Sequence, residues 1–156
     1  MLIRVAAVGQ RMPRWVTEAW TEYTRRLPNI FKIDLHEIPL AHRGKNADLE
    51  RARGQEGEAL LAAVPDGARV VALDERGRPW STVQLAEKLE RWMADGRSLC
   101  LWIGGPDGMT PETLQRADER WSLGPLTLPH PLVRVILAEQ LYRCWSLLAG
   151  HPYHRD

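Results

Sequence analysis

The chain has 156 residues, enough for one domain with a sizeable core but not for two. Its 44% hydrophobic and 26% charged content is ordinary for a globular protein and excludes a disordered chain. A net charge of +1 and a pI near 7.9 exclude a generically basic nucleic-acid binder.

In chain order, residues 2–8 read as a strand of small and β-branched apolar residues closed by Gly9. A helix follows, with Pro13 in its first turn, apolar residues at helical spacing from Trp15 to Leu27, and Pro28 as its stop. Residues 31–38 alternate as a second strand, and residues 39–46 form a polar loop holding His42, Arg43 and Lys45. Asn46 or Asp48 caps a helix to about Val64, weakened by Gly54 and Gly57. After the Pro65-Asp66-Gly67 turn, residues 68–73 are a buried strand and residues 74–80 a loop. Ser81 or Thr82 caps the next helix, which stops at Gly96.

Residues 98–103 form another buried strand, running into the glycine-rich turn 104–108. Thr110 and Pro111 start a short helix to about Arg120, and residues 123–128 are expected to be the last strand. Residues 132–149 form a long helix with Glu139 and Arg143 spaced for an ion pair, ended by Gly150. This helix is apolar on so many sides that it is either the centre of the core or a self-association surface. Arg134, Glu139, Gln140 and Arg143 break it, so it is not a membrane span, and the apolar N-terminal run is too short for a signal peptide. Regular alternation of strand and helix calls for an α/β domain, a mostly parallel sheet flanked by helices. Cys100 and Cys144 both fall in apolar runs and read as buried thiols of a reducing compartment, so the protein is expected to be soluble and cytoplasmic. The seven tryptophans read mostly as core or interface anchors.

In such sheets ligands sit beyond the carboxyl ends of the strands, here after Leu73, after Ile103 and around residues 123–131. The cluster Gly104, Gly105 and Gly108 is either a tight turn or a place where backbone meets a ligand. It matches neither a P-loop nor the dinucleotide fingerprint, which disfavours a phosphate ligand. The tail from His151 to Arg155 is compatible with a solvated terminus and with proton transfer or base recognition. His151 and His154 lack the partner pairs of a structural zinc site, and no metal is expected. The loop with His42, Arg43 and Lys45 is by default solvated; its functional alternative is phosphate contact with an RNA.

Several runs carry a resemblance: RGKNAD from Arg43 to Asp48, WIGGPDG from Trp102 to Gly108, WSL from Trp121 to Leu123, and LTLPHPLVRV from Leu126 to Val135. With Glu139, the run Leu141 to Arg143 and the ending HPYHR from His151 to Arg155, they cover essentially the whole chain. Together they resemble the pseudouridine-N3 methyltransferases of 23S rRNA, in the SPOUT superfamily. The resemblance implies an α/β knot, with a C-terminal trefoil knot, that binds S-adenosyl-L-methionine through Leu73, Gly104, Leu123, Gly124, Pro125, Leu126, Thr127 and Leu128. It implies a homodimer whose composite site takes Tyr153, His154 and Arg155 from the partner's tail. It also implies 23S rRNA in the assembled ribosome as substrate, with Arg43 and Lys45 as candidate RNA contacts. His154 is then a candidate base, and Arg155 a candidate for stabilising the anionic pyrimidine or gripping a phosphate. Pro125 departs from the pattern and, lacking an N–H, removes one possible donor to the cofactor. Rival readings are a non-catalytic ribosome-associated factor and a nucleotide hydrolase; the second lacks both a P-loop and a clear Ser-His-Asp set.

Overall fold

The computed structural model describes residues 1–44 and 48–154. In chain order the elements are β1 (Leu2–Val8), α1 (Arg14–Thr24), β2 (Lys32–Ile38), α2 (Leu49–Ala62), β3 (Arg69–Pro79), α3 (Thr82–Asp95), β4 (Leu99–Ile103), α4 (Pro111–Gln115), β5 (Glu119–Ser122) and α5 (His130–Leu148). The strands form one parallel sheet in the order β2-β1-β4-β3-β5. The expected α/β layering is therefore found.

Side chains along β1 alternate between two cores, as the two-residue strand period requires. Ile3, Val5 and Ala7 face a core shared with Leu85, Leu89 and Trp92 of α3 and Leu137, Leu141 and Cys144 of α5. Ala6 and Val8 face the other, with Leu60 of α2, Val70, Ala72, Cys100 and Trp102. Helices α1, α3 and α5 thus cover one face of the sheet, and α2 and α4 the other. The long helix α5 buries Leu137, Ala138, Leu141 and Cys144, while Leu132, Val135 and Ile136 are only half-buried. Both thiols are free and buried, and burial pushes Cys100 up to about 11 and Cys144 to about 12. No helix among the described residues is long and apolar enough to cross a membrane.

Capping follows the local chemistry. Asp48 caps α2 by accepting from the Arg51 N–H, Ser81 and Gln84 form a capping box on α3, and Thr110 caps α4 ahead of Pro111. Three expectations need correction. Helix α4 ends at Gln115, not near Arg120, which already belongs to β5. Residues 74–79 are not a loop: β3 runs on to Pro79 and regains its pairing with β5 after an irregularity between Leu73 and Arg78. The last strand is Glu119–Ser122, and residues 123–128 are a loop. The apolar character of that loop comes from a cleft it lines, and the charged look of β5 from its position at the sheet edge.

Gly57 weakens α2 by propensity, yet it is the point where α2 meets α4. A Cβ there would lie 2.1 Å from Thr113 Oγ1, itself hydrogen-bonded to Thr110 Oγ1 at 2.9 Å. Gly57→Ala is expected to lower unfolding free energy by about 1–3 kcal/mol through overpacking, read by urea denaturation. A variant as stable as the parent would show that α2 and α4 are not held at this separation.

Candidate active site

The register of the sheet builds the site. Leu73 of β3 lies opposite Ile103 of β4 and Trp121 of β5, so three adjacent strands reach the same level together. Just beyond, residues 104–109 and 123–130 turn over the strand ends and enclose a cleft of about 800 Å³. That volume suits a small-molecule ligand.

Seven of the eight cofactor candidates, Leu73, Gly104, Leu123, Gly124, Leu126, Thr127 and Leu128, lie on the cleft wall. Pro125 is exposed and is not on the wall, so its missing N–H takes no donor from the lining. Trp121 forms part of the wall and is backed by Trp80, stacked at a centroid distance of 5.3 Å. Arg53 lines the cleft from outside every stretch the sequence marked, while Asp74, Glu75 and His130 lie within the marked stretches but were not singled out as candidates. For Asp74, Glu75 and His130 a signal existed, since they fall after Leu73 and in the segment 123–131; Arg53 of α2 enters only through tertiary packing.

The wall holds polar groups with nothing to bond. Trp121 Nε1 and His130 Nδ1 are both buried and lack a hydrogen-bond partner among the described residues. Desolvation, and then repulsion by the nearby Arg134 guanidinium, lower the pKa of His130, so its neutral imidazole is favoured. Arg134 itself is 1% exposed and anchors α5 to the ends of β1 and β2, donating to Glu37 Oε2 at 2.6 Å and to the Gly9 carbonyl at 2.8 Å.

Arg43 behaves differently from the expected RNA contact. Its guanidinium grips Glu56 through both terminal nitrogens, at 2.7 and 3.0 Å, and donates from Nε to Asp107 at 2.7 Å. Nη1 also donates to the Ala41 carbonyl at 3.0 Å. These hydrogen bonds, led by those to Glu56, hold its pKa above even the usual arginine value. Its donors are thus spent on a clamp joining the loop after β2, helix α2 and the glycine-rich turn, not offered to a phosphate. Lys45 lies outside the described residues.

The tail packs on α5 of its own chain. Tyr153 donates to Glu139 Oε1 at 3.0 Å, its ring meets Tyr142 at 4.5 Å, and Arg143 lies 5.0 Å above it. Burial and the bond to Glu139 push the phenol up to about 12, so it stays protonated near neutrality. Glu139 also accepts from Arg143 at 2.8 Å, the pair expected from spacing. His154 is half-buried, and its Nδ1 has no partner among the described residues. Neither Tyr153 nor His154 is on the wall of the cleft, and Arg155 lies outside the described residues.

Comparison with known proteins places this geometry. A family model described as "Predicted SPOUT methyltransferase" matches residues 1–154. The chain belongs to the SPOUT methyltransferase family. Relatives named "Ribosomal RNA large subunit methyltransferase H" include one from Stutzerimonas stutzeri, 57% identical over 155 residues, covering 99% of this chain and 100% of that protein. Another, from Pseudomonas aeruginosa PAO1, is 58% identical over the same share of each chain. A solved structure of a probable methylase family protein from Haemophilus influenzae Rd KW20 covers 99% of this chain and 70% of its own, with TM-score 0.58 and 14% identity, and shares the fold. SPOUT membership implies the C-terminal trefoil knot and makes the protein a methyltransferase.

Proposed function

We propose that this SPOUT enzyme transfers a methyl group from S-adenosyl-L-methionine to N3 of a pseudouridine in 23S rRNA, on the assembled ribosome in the cytoplasm and as a homodimer. The observation that carries this is the convergence of residues from three separate stretches, after β3, after β4 and after β5, on one cleft. The relatives' name supplies the rRNA substrate class.

The cleft fits the cofactor chemically. Leu73, Ile103, Leu114, Leu123 and Val133 offer an apolar wall for a nucleoside, and Trp121 Nε1 and His130 Nδ1 are buried polar atoms a ligand can satisfy. Asp74, Glu75 and Asp107 line the cleft against the two guanidiniums of Arg53, which donates to the Met109 carbonyl, and Arg76; this slight acidic excess suits a cationic sulfonium and ammonium better than a phosphate chain.

When bound, the cofactor supplies an electrophilic methyl group. The protein's work is alignment and proton management. The N3 imide carries a proton that has to leave for the nitrogen to be methylated; His154 of one protomer's tail would accept that proton at the other protomer's cleft. Arg155 balances the anionic pyrimidine, and Tyr153, kept protonated on Glu139, holds the tail in position. The absence of Tyr153 and His154 from the cleft wall of their own chain, among the described residues, and the half-buried apolar residues Leu132, Val135 and Ile136 of α5 support the dimer.

Mass spectrometry of 23S rRNA from cells with and without the gene tests the reading. One methyl is expected to disappear from a pseudouridine; unchanged modification overturns the proposal.

A further inference from the structure

We propose that a groove along the β3–β5 edge is the surface that holds the phosphate backbone of the RNA flanking the target nucleotide; this rests on the rRNA reading above. The groove, about 680 Å³, is separate from the cofactor cleft but shares Arg76 with it. It lies between the outer part of β3, edge strand β5 and helix α3, and Arg76, Arg78, Arg91 and Arg120 line it.

Two features set these arginines apart. All four are exposed, and none of their side chains has a hydrogen bond or ion pair among the described residues. Elsewhere arginines are mostly spent: Arg4 on Asp34, Arg43 on Glu56 and Asp107, Arg69 on Asp95, Arg134 on Glu37. Of the groove's three carboxylates, Glu119 pairs with Lys88 at 2.6 Å; Asp118 accepts the Val70 N–H at 2.7 Å, which leaves its charge in place, and with Glu87 it faces four arginines. A protein of net charge +1 thus sets four guanidinium groups without a carboxylate partner among the described residues around one groove, whereas Arg11, Arg51 and Arg116, also without one, do not line it.

The backbone is shaped for this. After Leu73, β3 loses register with β5 and regains it at Arg78, opposite Trp121. Gly77 permits the closure, because a Cβ there would lie 2.6 Å from the Arg120 carbonyl carbon. Arg76 and Arg78 are thereby brought beside Arg120 on the neighbouring strand, with Arg91 across the groove on α3. A planar guanidinium suits phosphate oxygens in two-pronged contact. A nucleotide whose base enters the cleft must lead its flanking phosphates over the rim, where Arg76 marks the passage from cleft to groove. Phosphate contacts of this kind position an RNA without reading its sequence.

The test uses the full-length protein with Arg78→Ala, Arg91→Ala and Arg120→Ala combined; Arg76 is kept because it also lines the cleft. Co-sedimentation with purified ribosomes is followed across a salt series. Affinity is expected to fall on the order of tenfold or more, and the slope of log K against log salt to become shallower by about 2. Calorimetry with S-adenosyl-L-methionine and the thermal midpoint should match the parent. An unchanged slope overturns the proposal. So does weaker binding with the parental slope, which would indicate a ribosomal protein contact, or aggregation with an unchanged slope, which would make the arginines guards of an exposed sheet edge. If the parent binds ribosomes with the expected slope but transfers no methyl, the groove stands and the proposed reaction falls.

Discussion

Replacing Arg43 with methionine is expected to lower the unfolding free energy by about 3–5 kcal/mol, because it strands the Glu56 carboxylate in the interior. Glu56 is 3% exposed, and Arg43 meets it with two nitrogens while a third reaches Asp107. The other bond to Glu56, from the Ala41 N–H at 3.0 Å, does not neutralise its charge. The loss should appear in urea denaturation of the protein alone, with no RNA present. It should also weaken S-adenosyl-L-methionine binding by calorimetry, since Asp107 belongs to the turn that closes one side of the cleft. Pairing Arg43→Met with Glu56→Leu should recover much of the stability, to within about 2 kcal/mol of the parent, by removing both charges. A single variant that costs less than about 1 kcal/mol would return Arg43 to the solvated basic loop suggested by its sequence.

Subunit mixing should produce an equally large effect on activity. One chain ends at Pro152 and so lacks residues 153–156; the other carries Thr127→Trp, an exposed position on the cleft wall where a large ring obstructs the site without entering the core. Each homodimer is expected to lose about 100-fold or more of its methyl transfer, from missing proton transfer in one and missing cofactor in the other. Random reassortment of equal amounts makes half the dimers mixed, each with one complete site, so about a quarter of parental activity should return. Calorimetry distinguishes the parts, since only the truncated chain should bind S-adenosyl-L-methionine. No recovery on mixing would mean that each tail serves its own chain's cleft.

What could be read from the residues depended on whether the signal was local. Strands β1, β2 and β4, the caps at Asp48, Ser81 and Thr110, and the Glu139–Arg143 pair each announce themselves within a few neighbours. The C-terminal end of the sheet did not. Residues 123–128 are apolar for the sake of a cleft, and Glu119–Ser122 is polar because it is an edge, so a rule linking apolar runs to strands moved the last strand by four residues. Residues 74–79 contain the glycine and proline of a loop, yet regain the ladder beyond an irregularity. Arg43 was misleading for another reason: its carboxylate partners lie 13 and 64 residues away, and only the fold reveals that its charge is already spent. The cofactor positions came from family resemblance, because backbone-lined pockets leave little trace in side-chain chemistry.

The strand order also constrains how the chain can acquire its shape as it is synthesised. β1 and β2 pair directly and can form a small unit early, around α1. β3 has no such opportunity: its neighbours are β4 and β5, both made later. β4 must enter between β1 and β3, so the two halves of the sheet stay unjoined until residues 99–103 have been made. Most of β3's apolar side chains therefore wait without a partner strand, the interval in which such a chain is most exposed to mispairing. The central strand of the finished enzyme is the one whose late arrival decides whether there is a finished enzyme at all.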